Sequence, residues 1–154
     1  MPIDTSNHQH QGASATPADW GIIRKIKEHV SVPVISNGNI VRYGDVLRCL
    51  EETKADGVMS AEWLRRNPAL FAGETAQDVP ALDLAEDYLE LCAEYPTPLG
   101  FIRTHCFKML GEHLQAHPDM RQGFVEAKTR DQLLELTRSL RRAVDGAAAV
   151  PAAQ

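Results

Sequence analysis

The stretch that decides the fold is "VPVISNGNIVRYGDV", residues 32–46. It opens with a β-branched run that is too short for a helix and predicts a buried strand, in which Pro33 suits an early position. The tripeptide Asn-Gly-Asn then turns the chain. An amphipathic helix follows over residues 43–53, with Val46 and Leu47 expected to face inward. A strand that leads through glycine into a helix is an arrangement that often binds phosphate.

The segment before this stretch predicts another helix. Residues 17–30, "PADWGIIRKIKEHV", carry Asp19 at a suitable N-cap position. Ile22, Ile26 and Val30 recur at a spacing of four residues, which places them on one face. That face is expected to pack against the sheet.

The segment after the decisive stretch continues the alternation. Residues 55–61, "ADGVMSA", predict a second strand, and Pro68 is expected to open a short helix, since proline favours the first helical position. The order helix, strand, helix, strand, helix predicts an α/β fold with a parallel sheet over residues 17–73. Two strands are too few to close a barrel or to form a stable open sheet alone.

Beyond Gly73 the pattern becomes helical. A linker is followed by four amphipathic segments with short connections, which predict an all-α helical bundle over residues 80–144. The last segment begins with Thr129 and Gln132, the spacing of a capping box. Residues 1–16 are expected to form a flexible arm, and residues 145–154 a disordered tail.

The charge is unevenly distributed along the chain. The formal net charge is −5, which gives no overall nucleic-acid signature. Between Arg103 and Arg142, however, eight basic residues stand against five acidic ones. Either this segment meets a polyanion or it forms the solvated surface of helices, and the second interpretation is the more common one.

The cysteine and histidine patterns do not predict a metal site. Cys49, Cys92 and Cys106 lack metal-ligand spacing and fall on the apolar sides of predicted helices, which indicates reduced core residues. His8 and His10 lie on the polar arm and are read as ordinary polar residues. No apolar run approaches the roughly 20 residues of a membrane span. The sequence therefore indicates a soluble protein of the cytoplasm or nucleus.

Polar and small residues follow both predicted strands, at the point where each strand ends. In parallel α/β proteins this edge of the sheet binds ligands, and glycine lets the backbone approach an anion closely. The alternative is that Asn-Gly-Asn is only a turn. The candidate phosphate-binding residues are Asn37, Gly38, Asn39, Ser60, Ala61 and Glu62.

At these residues the sequence resembles a known family. Residues 18–40, "ADWGIIRKIKEHVSVPVISNGNI", and residues 55–71, "ADGVMSAEWLRRNPALF", resemble the last two β/α units of the flavin-dependent tRNA-dihydrouridine synthases. Residues 98–110, "PLGFIRTHCFKML", are similar to the C-terminal helical domain of that family. The "VMSAE" and "NPALF" segments look most like the eukaryotic branch that modifies the tRNA D-loop. The resemblance extends over residues 12–144.

The resemblance implies a fold and a reaction. The two strands would be the seventh and eighth of a TIM barrel, and FMN would be the ligand of the two loops that follow them. In the family, NADPH reduces the flavin, hydride passes to C6 of uridine in tRNA, and a cysteine protonates C5. The helical domain holds the RNA, which makes Arg103, His105 and Lys108 the expected RNA-binding residues. The alternative interpretation is that these three residues lie on a solvated helix face.

The sequence also departs from the family pattern. Trp63 stands where members commonly carry glycine, and its indole could obstruct the phosphate loop or pack outward. The resemblance places the family's proton-donating cysteine, flavin-contacting lysine and "HGRT"-like histidine before the first residue of this sequence. None of its three cysteines matches the catalytic one, so no catalytic residue is assigned.

Three functional hypotheses follow. The chain is the C-terminal portion of a tRNA-dihydrouridine synthase that binds FMN weakly or not at all alone, with the remaining barrel portion as a partner. Alternatively it is a non-catalytic RNA-binding helical module. A third hypothesis makes it a fragment from a split or mis-called gene, which the DNA immediately upstream would reveal.

Overall fold

A computed structural model describes residues 17–148 of the chain. Within them the protein is mostly helical, with one two-stranded parallel sheet. The predicted flexible arm over residues 1–16 lies outside the described residues, and so does most of the predicted tail, residues 149–154.

The first part of the chain alternates helices and strands, as the pattern of its sequence predicts. In order, its elements are α1 (Trp20–His29), β1 (Ile35–Asn37), α2 (Tyr43–Thr53), β2 (Gly57–Met59) and α3 (Glu62–Arg66). A 3₁₀ turn over Glu74–Asp78 occupies the predicted linker. The helices that follow are α4 (Ala81–Glu94), α5 (Leu99–Met109), α6 (Gly111–Ala116), α7 (Pro118–Glu126) and α8 (Arg130–Ala148).

The chain forms two compact units that divide after Glu62. We call them the strand unit and the helical unit. The sequence pattern predicts a later division, between residues 73 and 80, because it counts the short helix expected at Pro68 with the β/α repeats. In the structure α3 groups with the helices that follow it.

The strand unit is held by local capping and by parallel pairing. Asp19 caps α1 as predicted, and its carboxylate accepts a hydrogen bond from the backbone N–H of Ile22 at 3.1 Å. The strands pair in parallel, with Ile35 opposite Gly57 and Asn37 opposite Met59. Helices α1 and α2 pack together beside this short sheet.

Much of the apolar surface of the strand unit remains exposed. Helix α1 has no buried residue, and its predicted inward face is open, with Ile22 55% and Ile26 49% exposed. On α2, Val46 is buried as predicted, but Leu47 is 49% exposed. The periodicity identified both helices correctly. The periodicity did not show which helix faces this chain buries. Burying both faces requires more layers of structure than two strands provide.

The helical unit has a buried apolar core of its own, although Leu91, Tyr95 and Phe101 remain exposed. Its fully buried side chains come from α4, α5, α7 and α8 and from the turn before α6, including Leu89, Cys106, Leu110, Phe124 and Leu133. Burying a residue of this size contributes about 1.5–3 kcal/mol relative to exposure. The helical unit therefore contains the elements of a self-supporting core.

Three helix boundaries differ from those that the sequence predicts. One of the four amphipathic segments predicted over residues 80–144, residues 99–117, is interrupted at Leu110, which leaves helical geometry between α5 and α6. Pro68 does not open a helix; α3 ends before it, and a turn follows. Helix α8 continues to Ala148, so residues 145–148 are helical and do not belong to a disordered tail.

Candidate functional site

The structure brings the two predicted phosphate loops together. The last paired residues of the sheet are Asn37 and Met59, so the loops that follow them begin side by side. The Ser60 hydroxyl donates a hydrogen bond to the carbonyl oxygen of Ile40 at 3.0 Å. This bond fastens the second loop to the first at the carboxyl edge of the sheet.

The first loop has the unusual backbone that its glycine predicts. Gly38 has φ +109° and Asn39 has φ +60°, both in the region that L side chains rarely adopt. A Cβ atom at Gly38 would lie 2.5 Å from the Cβ of Ala18. Glycine is therefore required here by the backbone conformation and by the close approach of the segment before α1.

The segment before α1 and Trp20 also form hydrogen bonds with polar groups of the loop. The Asn39 side chain accepts a hydrogen bond from the Ala18 backbone N–H at 3.0 Å and donates one to the Ala18 carbonyl at 2.7 Å. The Trp20 indole N–H donates to the Gly38 carbonyl at 3.3 Å. The sequence indicated Asn39 as a ligand donor, but its side-chain amide is already paired within the protein.

A charged network stabilises the other end of the loop. The Asp45 carboxylate accepts hydrogen bonds from the backbone N–H groups of Val41 and Arg42 at 3.0 and 3.1 Å. Arg48 forms a 3.0 Å ion pair with Asp45, and its guanidinium lies 5.3 Å from the centroid of the Trp20 ring. The loop is thus connected to α1 and α2 through side chains that the sequence analysis did not identify.

The remaining loop residues have different surroundings. Asn37 and Ala61 are exposed, and Glu62 is partly buried at the start of α3. Glu62 brings a carboxylate to this edge, which is unfavourable for a neighbouring anion. Trp63 is partly buried, and the Arg66 guanidinium lies 5.0 Å from its ring centroid on the same short helix.

In the helical unit the predicted RNA-binding residues lie on α5 and are partly buried. An Arg103 Nη donates to the Ala127 carbonyl at 2.5 Å, while its Nε is buried without a hydrogen-bond partner among the described residues. The His105 ring stacks on Tyr88, with centroids 5.3 Å apart. Lys108 lies near the end of α5. Arg103 and His105 thus make internal contacts.

All three cysteines are buried, as predicted. The Cys49 thiol donates to the Ser36 hydroxyl at 3.1 Å. Burial, with a smaller contribution from Cys92, raises the pKa of Cys106 to about 12. Burial and a hydrogen bond with Cys92 raise the pKa of Tyr88 as well. Cys106 and Tyr88 are therefore protonated at neutral pH.

Between residues 17 and 148, no helix is long and apolar enough to cross a membrane.

Comparison with known proteins identifies the family. The sequence matches the family model for "Dihydrouridine synthase (Dus)" over residues 8–150. The chain therefore belongs to the tRNA-dihydrouridine synthase family. The resemblance first seen in the two strand-loop segments is confirmed over nearly the whole sequence.

Individual relatives carry the same family name. The chain is 37% identical over 142 residues to a tRNA-dihydrouridine(16/17) synthase-like protein of Mus musculus, covering 92% of this chain and 29% of the relative. It is 30% identical over 123 residues to the tRNA-dihydrouridine(16/17) synthase of Schizosaccharomyces pombe, covering 73% of this chain and 31% of the relative. Both names also include NAD(P)(+). The chain thus spans about a third or less of these relatives' lengths.

Proposed function

We propose that this chain supplies two parts of a tRNA-dihydrouridine synthase: one corner of its FMN-binding barrel and its RNA-binding helical domain. Alone, the chain binds tRNA and does not reduce uridine. The observation that carries this proposal is the contrast between the two units. The helical unit buries a large apolar core, whereas the strand unit buries few apolar side chains and leaves those of α1 and the sheet open.

The strand unit is proposed to be the seventh and eighth β/α units of a TIM barrel. Strands of parallel sheets are normally covered on both faces, yet Ile35 and Met59 at the sheet are each 53% exposed. The open face of α1 adds Ile22 and Ile26 to the uncovered apolar surface. The remaining portion of the barrel is the partner that would cover these residues.

The described residues fit the phosphate end of FMN only in part. The carboxyl edge of a parallel sheet and the positive-φ loop at Gly38 are suited to an anion. However, the Asn39 amide is paired with Ala18, and the Gly38 face is filled by the Ala18 methyl group. The described residues do not form a complete flavin site, and we derive no redox step through them.

Proton donation is likewise not assigned to this chain. Every cysteine of the sequence is buried, and Cys49 is hydrogen-bonded to Ser36. A thiol that protonates a uridine carbon must touch the base, which these buried thiols cannot do. The chain is therefore proposed to be inactive alone, with NADPH oxidation and uridine reduction requiring the rest of the synthase.

The helical unit is proposed to bind tRNA through α5 and its neighbours. Arg103, His105 and Lys108 are the proposed contacts on α5 itself. Family membership and the local excess of basic residues support this assignment. Arg103 has a second role, since its guanidinium holds the carbonyl at the end of α7.

Binding of the purified chain to unmodified tRNA tests this proposal. We expect a salt-sensitive complex in a gel-shift titration, and no dihydrouridine when FMN and NADPH are added. Lys108→Glu should weaken the complex by charge reversal. Arg103→Glu should also weaken it, and a melting curve separates lost contact from the loss of its bond to Ala127. Absence of any tRNA complex at low salt would contradict the RNA-binding role.

A further inference from the structure

The two asparagines at the end of β1 and in the loop after it have different surroundings. Asn37 is the last residue of β1, is exposed, and forms no side-chain hydrogen bond with any residue that the structure describes between 17 and 148. The Asn39 amide is instead held by Ala18, whose backbone N–H donates to it at 3.0 Å and whose carbonyl accepts from it at 2.7 Å. Within this part of the chain, the amide of Asn37 can rotate toward the backbone, whereas that of Asn39 is fixed.

The residues that follow these two asparagines also differ. Asn37 is the only asparagine of the sequence that precedes a glycine. Gly38 lies beyond the last strand pair and has no side chain next to its backbone nitrogen. Asn39 precedes Ile40, which is 2% exposed and whose β-branched side chain crowds its own backbone. The backbone nitrogen after Asn37 is therefore the less hindered of the two.

Asn67 provides a third environment in the same chain. Its side-chain oxygen accepts a hydrogen bond from the Ala69 backbone N–H at 2.9 Å. The next residue is Pro68, whose backbone nitrogen carries no hydrogen. Because that nitrogen has no proton to lose, it cannot attack the neighbouring amide, and Asn67 is an internal control for reactions that need such an attack.

We propose that Asn37 is a modification site, at which the chain reacts with itself and then with water. Asparagine is among the chemically labile residues of proteins. The Gly38 backbone nitrogen attacks Cγ of Asn37, and as this bond forms, the bond from Cγ to the side-chain nitrogen breaks. The leaving nitrogen takes the Gly38 amide proton and departs as ammonia, which leaves a succinimide ring. No oxidant, metal or cofactor takes part.

Water then opens the ring in one of two ways, with different consequences for the loop. Opening at Cγ gives aspartate at position 37, and opening at the main-chain carbonyl gives isoaspartate, which lengthens the backbone by one carbon directly before Gly38. The Trp20 indole donates to the Gly38 carbonyl at 3.3 Å, and Ala18 is paired with Asn39. Because these bonds depend on the position of the loop backbone, the isoaspartate form is expected to weaken them.

The purified chain itself is the sample that tests this proposal. It is incubated at pH 8, where the Gly38 amide proton is lost more readily, once folded and once in urea. Trypsin releases residues 28–42 as one peptide that contains Asn37 and Asn39, and fragmentation in a mass spectrometer assigns a gain of one mass unit to either. The peptide that contains Asn67 is measured in the same digest. A sample digested before incubation corrects for reaction during the digestion.

In the folded chain we expect Asn37 to be converted at least tenfold faster than Asn39, and Asn67 to gain no mass. Asn37→Gln should abolish the gain at position 37, because the longer side chain would have to close a six-membered ring. Equal conversion of Asn37 and Asn39 in the folded chain would overturn the proposal. So would an unchanged Asn37 in the folded chain when the same residue is converted in urea.

Urea unfolding of the incubated chain tests the structural consequence. Asn37→Asp is the matched control, because it carries the charge of the aspartate product on a backbone of normal length. We expect the incubated chain to unfold at a lower urea concentration than either the fresh chain or Asn37→Asp. A midpoint equal to that of Asn37→Asp, in a sample that mass spectrometry shows to be converted, would contradict the effect of the lengthened backbone.

Discussion

At the scale of single residues, two constraints require glycine at position 38: the backbone conformation and the space available for a side chain. Its φ of +109° is costly for any residue with a Cβ, and that Cβ would also meet the Ala18 methyl group at 2.5 Å. The glycine was predicted from the sequence as a point of close approach for an anion. In the structure, the neighbour that approaches it is a segment of the same chain.

Gly38→Ala is expected to destabilise the strand unit. The backbone strain alone should cost about 1–3 kcal/mol, and the contact with Ala18 adds to it. Adding Ala18→Gly to this variant should restore the stability lost through the contact with Ala18, but not the stability lost through backbone strain. Urea unfolding of the two single variants and the double variant measures this coupling. Strictly additive free energies would contradict the proposed contact.

The Asn39 amide illustrates what sequence reasoning can and cannot supply. The Asn-Gly-Asn pattern identified the loop and its unusual backbone correctly. The hydrogen-bond partner of Asn39 is Ala18, 21 residues earlier, and no local sequence pattern predicts such a pair. Trp20 and Arg48 were missed for the same reason, because they meet only once α1 and α2 are packed. Asp45 is different, since its hydrogen bonds to the backbone of Val41 and Arg42 are local and its third-residue position in α2 was a signal in the sequence.

At the scale of elements, Asp56 connects α1 to the start of β1. Its carboxylate accepts a hydrogen bond from Lys27 at 2.6 Å and another from the Val34 backbone N–H at 2.7 Å. The Lys27 hydrogen bond, followed by that of Val34, lowers the pKa of Asp56 below its ordinary value of 3.8. The ionised carboxylate is therefore favoured by folding.

This linkage predicts a pH dependence that Asp56→Asn should reduce. Because the folded-state pKa lies below the unfolded one, the contribution of Asp56 is present at neutral pH. It is lost as the pH falls below about 4 toward the folded pKa. Urea midpoints at pH 7 and pH 3 should therefore differ less in the variant than in the parent chain. An equal drop in both would contradict the role of Asp56.

The existence of the helices was more predictable from the sequence than the faces that they bury. Helix α2 spans Tyr43–Thr53, the range that its sequence pattern predicts. Helix α1 is equally periodic, yet Ile22 and Ile26 remain exposed. Periodicity indicates that a face must be covered, but it does not show whether the same chain covers it. The break at Leu110 had no strong signal, since no proline interrupts the segment.

At the scale of the whole molecule, the fold class was predictable because each part has its own pattern. Family membership is shown over residues 8–150, and the sheet has two strands among the residues that the structure describes. The chain spans 29% of the length of its Mus musculus relative. In our proposal, the remaining portion of the barrel covers the open apolar surface of the strand unit. The helical unit has a larger buried core, with thirteen buried residues in one cluster.

The most direct test of this account is equilibrium dialysis of the purified chain against FMN, read by flavin absorbance. The described loop residues already pair with Ala18 and Trp20, and the sheet has only two strands among the described residues. We therefore predict that little flavin is retained, even while the same preparation binds tRNA. Retention of one FMN per chain would contradict the account, because it would show a complete flavin site within this sequence.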